Sequence, residues 1–140
     1  MPEPARSAAV LTLHDAERLA KYHQGLTGSG KPDRIIEAFA PDVVVRFADF
    51  PEIHGLEELK RFLVARFERQ KNYSLKKQLR AIWQDVLVCS WDATWEDSRD
   101  GRFMEGHGVE LMTIRDDKIT LWEAVFNVWE RGKRGSLPII

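Results

Sequence analysis

Residues 73–129 read YSLKKQLRAIWQDVLVCSWDATWEDSRDGRFMEGHGVELMTIRDDKITLWEAVFNVW, and the reading of this stretch decides the fold. Within it Leu87, Cys89, Trp91, Ala93 and Trp95 alternate with more polar neighbours, the period of two that a strand with one inner face requires. Long extended segments are predicted over 73–83, 86–96, 102–115 and 119–129. Gln84-Asp85, Ser98 to Gly101 and Asp116-Asp117 supply the turns between them. The last segment is apolar on both sides, with Leu121, Val125 and Trp129 on one and Trp122, Ala124, Phe126 and Val128 on the other. A strand covered twice implies a second layer beyond the helices, and self-association through the outer sheet face to a homodimer would supply it.

Upstream of the strands the period changes. Thr12 is an N-cap candidate with Asp15 three residues later, and Ala16, Leu19, Ala20 and His23 then share one side. Thr27-Gly28-Ser29-Gly30 stops that helix, because glycine takes left-handed conformations at little cost. Pro32 opens a second short helix with Ile35, Ile36 and Phe39 on its apolar side, ended by Pro41-Asp42. A strand over 43–47 and the loop Asp49 to Glu52 precede a third helix after Gly55, whose buried side is Leu56, Leu59, Phe62, Leu63 and Phe67. Helices first and an antiparallel meander afterwards make an α+β fold rather than a βαβ one. A sheet of such long strands twists and curls, so helices laid on one face give a cone-shaped roll whose open end encloses a pocket.

Composition narrows the function classes. The 140 residues suit a single domain over 1–140, with a core from about 13 to 129 and tails over 1–10 and 131–140. A formal net charge of −1 offers no global attraction to nucleic acid or to an anionic membrane, so neither is expected as a partner. No run approaches the roughly 18 apolar residues of a membrane span, and MPEPARSAAV lacks the apolar stretch of a secretory signal, leaving a cytoplasmic address as the default. The one cysteine, Cys89, excludes an internal disulfide, and its place in the apolar stripe argues for an inert thiol. Lys76, Lys77 and Arg80 read as a solvated face without the interleaved aromatics of a single-strand groove.

Three segments carry a family resemblance. Phe39-Ala40-Pro41-Asp42-Val43-Val44-Val45 with Gly55 and the Leu56 helix resembles the opening half of SnoaL-like domains, within the nuclear transport factor 2-like superfamily. Asp117-Lys118-Ile119-Thr120-Leu121-Trp122, running to Phe126-Asn127, resembles their final strand, and Trp95-Glu96-Asp97-Ser98 to Gly101-Arg102-Phe103 with Gly108 and Glu110 resembles one subfamily. The resemblance implies a cone with a few acids or a histidine inside, as in steroid isomerases, polyketide cyclases, epoxide hydrolases and dehydratases, though some members have no catalytic role. It implies an aspartate on the final strand where this chain has Asn127, which can orient a carbonyl but cannot act as a base. It also implies that Arg46 and Asp49 lie where steroid isomerases hold their proton-shuttling acid, and that Tyr22 matches their helix tyrosine.

Other candidates come from the residues themselves. His107 stands between Gly106 and Gly108 in mid-strand, with Glu105 on its face and Glu110 on the other. A histidine beside a carboxylate suits proton transfer at neutral pH, and it equally suits a hydrogen-bonded sheet position. Glu105 and His107 alone do not make a metal site, and neither metal nor other cofactor is expected. Trp91 and Trp95 serve either as pocket walls with indole N–H handles or as core, while Glu123 and Asn127 face either the pocket or an interface. The resulting expectation is a cofactor-independent isomerase, cyclase or dehydratase acting on a small apolar carbonyl compound. Asp49 and His107 would be its catalytic pair, and Tyr22, Arg46, Trp91, Trp95, Glu110, Glu123 and Asn127 its substrate contacts. A non-catalytic binding module and a protein-interaction scaffold are the alternatives.

Overall fold

The structure is a computed structural model that describes residues 10–134. Helix α1 spans Leu13–Gly28, α2 spans Pro32–Ile35 and continues as a single 3-10 turn, and α3 spans Gly55–Arg69. The strands are β1 Phe39–Phe47, β2 Ile53–His54, β3 Gln70–Trp83, β4 Val86–Asp97, β5 Phe103–Arg115 and β6 Lys118–Glu130. They form one open, curled sheet in the order β2-β1-β6-β5-β4-β3, with β1 parallel to β6 and all other pairs antiparallel. With the helices on its concave side this is an α+β cone. The expected tails fall outside the described residues except for Val10 and a turn over 131–134.

Local chemistry accounts for the boundaries. The Thr12 hydroxyl accepts from the Asp15 amide at 3.1 Å and caps α1. Gln84, Asp116 and Asp117 take left-handed φ of 55°, 50° and 61° at the hairpin tips, where Asn, Asp and their homologues are tolerated. One boundary departs from the sequence reading. Phe39 opens β1 instead of closing the second helix, and Pro41-Asp42 lie inside that strand, where its register against β6 slips between Phe39 and Val44. Proline has no N–H to give to a ladder, so an irregular stretch of strand accommodates it.

The core follows from strand parity. Leu87 and Cys89 on β4, Met112 on β5, Trp122 on β6 and Val43 and Val45 on β1 meet Leu19, Leu59 and Leu63 from the helices. α1 lies against β3, and α3 lies against β1. As an edge strand β3 has a free backbone row, and Gln24 of α1 occupies part of it, accepting from the Lys77 amide at 2.7 Å.

On β5 the inward positions Gly106 and Gly108 have a steric purpose. A Cβ at Gly108 would stand 2.6 Å from the Trp91 ring and 2.7 Å from the Val125 carbonyl oxygen, and one at Gly106 would stand 3.1 Å from Trp95. Gly25, inside α1, has open space around it. Gly108→Ala is expected to destabilise by about 1–3 kcal/mol through overpacking, while Gly25→Ala should stabilise by up to about 1 kcal/mol. Denaturant unfolding of both variants checks the pair, and a neutral Gly108→Ala would mean that both the Trp91 ring and the β6 backbone at Val125 can yield.

Candidate functional site

The cone holds a cavity of about 520 Å³. Strands β3 to β6 and helix α3 contribute its walls, which are mainly Tyr73, Leu75, Trp91, Trp95, Trp122 and Phe126. Two charges lie at its deep end. Lys77, on β3, has a side chain only 3% exposed, and its ammonium stands 2.6 Å from Oε1 of Glu110, a β5 residue 2% exposed. The approach is off-axis, so Oε1 is charge-paired without a well-directed hydrogen bond. Oε2 accepts from the Trp122 indole Nε1 at 2.9 Å. Trp122 in turn faces the ammonium with its ring, 6.0 Å from centroid to Nζ.

Strand parity explains why these groups meet. Tyr73, Leu75, Lys77 and Leu79 alternate inward on β3. Met104, Gly106, Gly108, Glu110 and Met112 do so on β5. Cys89 lies between them, opposite both Leu79 and Glu110. Burial first, and then the Glu110 charge, push the Cys89 thiol up to about 11, so it stays protonated and is no nucleophile. Behind the pair, His23 of α1 is buried with Nε2 unpartnered. Burial, followed by the positive charges of Lys77 and Lys118, lowers its pKa to about 3, so it is a neutral imidazole.

The wider end is ringed by arginines. Arg69 donates through Nε and Nη2 to Oδ2 of Asp97 at 3.0 and 2.9 Å. That bond, followed by one from the Arg99 amide, holds the Asp97 carboxyl below its ordinary range. Arg102 pairs with Asp100 at 2.6 Å. Arg66 is held by neutral groups, donating from Nε to Gln70 at 2.8 Å and from Nη2 to the Tyr73 hydroxyl at 2.9 Å.

Of the residues singled out by sequence, Trp91, Trp95 and Glu110 line this cavity together. The others do not. His107 projects from the outer face and pairs with Asp92 at 3.0 Å, because Gly106 and Gly108 take the inward positions on either side. Asp49 is exposed in the turn after β1, where Ala48 takes a positive φ and the Phe50 amide bonds to the Phe47 carbonyl. Asn127 and Glu123 face outward because Trp122, Ala124 and Phe126 face in. Arg46 also faces outward, bonded to Glu52 at 2.9 Å and near Glu123 at 3.7 Å. Tyr22 is exposed on α1 beside His23, away from the cavity.

Sequence reasoning missed Lys77, which it assigned to a solvated face, along with Arg66, Arg69 and the Trp122 donor. The signal for Lys77 was present in its alternation with Tyr73, Leu75 and Leu79. Among the described residues no group of three His, Cys, Asp or Glu side chains could hold a metal ion. No described helix is long and apolar enough to cross a membrane.

Comparison with known proteins gives a family and a fold. A family described as SnoaL-like domain matches residues 19–122. No curated protein sequence matches. AclR, a putative hydroxylase from Streptomyces galilaeus, superposes with a TM-score of 0.71 at 15% identity over 83% of this chain and 81% of its own. A putative SnoaL-like polyketide cyclase from Jannaschia sp. CCS1 gives 0.71 at 14% identity over 80% and 85%. TerC, co-crystallised with polyporic acid, gives 0.69 at 18% identity over 80% and 91%.

Removing one partner of the buried pair exposes its cost. Lys77→Met is expected to destabilise by about 3–5 kcal/mol, and Lys77→Met with Glu110→Gln should recover much of that, by denaturant unfolding. An effect of Lys77→Met near zero would mean that water already reaches the pair. His23 adds a pH dependence. Its folded pKa lies below the unfolded one, so stability is complete above about pH 6.5 and declines as pH falls toward 3. Between pH 7 and 5, His23→Leu should therefore lose about 2 kcal/mol less stability than the parent.

Proposed function

The chain belongs to the SnoaL-like domain family, and on that premise we propose that its cone takes a small, largely apolar carbonyl compound and moves a proton beside the carbonyl. Glu110 would accept the proton, and Lys77 would face the oxygen on which negative charge develops. Isomerisation, dehydration and cyclisation all proceed through such a step, and none of them needs an added cofactor. The observation that carries this reading is the Lys77–Glu110 pair at the closed end of an otherwise apolar cavity. Packing gives no reason to keep it, since buried ion pairs contribute little net stability and well-packed apolar residues often do better. Chemistry does give one. A carboxylate and an ammonium fixed in a buried site need little reorganisation when a proton moves and an oxyanion forms.

Proteins of similar fold agree in kind. One is described as a putative SnoaL-like polyketide cyclase, and another, SalBIII, as an epoxide hydrolase/cyclase-like enzyme with a role in pyran ring formation. A second reading, a binding module without turnover, draws on the fact that both Glu110 oxygens already face protein donors. A protein-interaction scaffold draws no support from an open cavity.

Deuterium exchange separates these readings without knowledge of the natural substrate. With 2-tetralone in D2O, followed by proton NMR, the protein is expected to accelerate exchange at the α-carbon, and Glu110→Gln is expected to lose at least about a hundredfold of that rate. Binding of the ketone without exchange would leave the binding module. We also propose that the outer sheet face pairs two copies of the chain. Val125 is 67% exposed there, with Val109 and Leu111 beside it. Light scattering is expected to give a dimer mass, and Val125→Lys a monomer. A monomeric parent would sink the dimer.

A further inference from the structure

We propose that the compound bound in the cone is an anion, with a carboxylate or similar acidic group docked on Arg66 and Tyr73 and an apolar body between Trp91, Trp95 and Phe126. The proposal rests on the cavity being a ligand site. It begins from a charge imbalance in the lining, where Arg66, Arg69, Lys77 and Arg102 outnumber Asp97 and Glu110. Three of the four cations are answered by protein carboxylates. Lys77 has Glu110, Arg69 has Asp97, and Arg102 has Asp100. Arg66 has no carboxylate partner among the described residues.

Its surroundings suit anion recognition. The guanidinium is half-buried, so a charge in this place is less well solvated than a surface arginine. It lies over two rings, 5.0 Å from the Phe67 centroid and 5.2 Å from that of Tyr73, and its bonds to Gln70 and Tyr73 fix its plane. Guanidinium offers five N–H donors in a rigid fork, and those not used here have no acceptor among the described residues. The Tyr73 hydroxyl accepts from Arg66, which leaves its own proton to donate. A carboxylate at this point would meet a preorganised cation and a hydroxyl donor at the edge of an aromatic slot. Lys77 does not serve as this dock, because the ionised Glu110 answers its charge until it takes up a proton.

Isothermal calorimetry with 2-naphthoate and its neutral amide, 2-naphthamide, tests the inference. The acid is expected to bind at least about tenfold more tightly, the scale of one charge-assisted hydrogen bond. Arg66→Gln should remove that preference, weakening the acid at least about tenfold more than the amide. Equal binding of the two ligands, or a preference that survives Arg66→Gln, would overturn the anion proposal and leave the cavity a ligand site. Failure of both ligands to bind the parent protein would overturn the ligand-site reading and this proposal with it. Should Arg66→Gln lose both ligands, Arg66→Lys decides, since it retains charge and stem: a kept preference for the acid upholds the proposal, and its loss overturns it.

Discussion

A strand can turn only every second side chain toward the interior, and on this constraint both the core and the cavity of this protein depend. The four long strands obey it in concert. Once Trp122, Ala124 and Phe126 face inward on β6, pairing fixes which of the β5 residues join them, and β4 and β3 follow. That chain of registers sets Glu110 and Cys89 side by side across the sheet, and places Lys77, which is opposite Trp91, on the same face one inward position along β3. It also directs His107, Asn127 and Glu123 to the outside. A slip of one residue on any strand would exchange the two sets.

The interior is thus assembled from compromises between packing and polarity. Two indoles line the wall because β5 gives up its side chains beneath them, at Gly106 and Gly108. An ion pair sits at the deep end because each charge answers the other and an indole N–H answers one carboxylate oxygen. Remove any of these and the remainder carries a cost, since a buried charge without its partner is far less stable than no charge at all. His23 shows the other solution to the same problem. Too deeply buried to hold a proton, and close to two cations besides, it stays neutral.

How much of this could be read from the chain varied with local contrast. The first helix was legible from Thr12 to Gly28 because capping and glycine chemistry are local, and the hairpins were legible from their polar doublets. The inner face of β4 was legible because Leu87, Cys89, Trp91, Ala93 and Trp95 alternate against polar neighbours. On β6 both faces are apolar, so the pattern gave no parity, and Asn127 and Glu123 stayed ambiguous until pairing resolved them. The two glycines beside His107 mark a place of close approach, and what approaches is the pair Trp91 and Trp95 of the neighbouring strand, on the face opposite the histidine. Lys77 was misread because its charge was weighed with that of Lys76 and Arg80, and not against the alternation of Tyr73, Leu75 and Leu79. Its partner lies 33 residues away on β5, a distance that no local pattern spans.

The edge of the sheet has a consequence for the protein as a solute. β3 is 14 residues long and terminates the sheet, so part of its amide row is open to a strand from another molecule. Such edges are where chains in concentrated solution recruit one another into growing sheets. Here Gln24 occupies the Lys77 amide from the side of α1. Lys76 and Arg80 stand exposed beside it, and the register against β4 breaks between Leu79 and Ala81. An incoming strand would have to displace a helix side chain, bring its own backbone past two positive charges and match an irregular template. The helix that closes one side of the cone therefore also guards the molecule against fibrous growth.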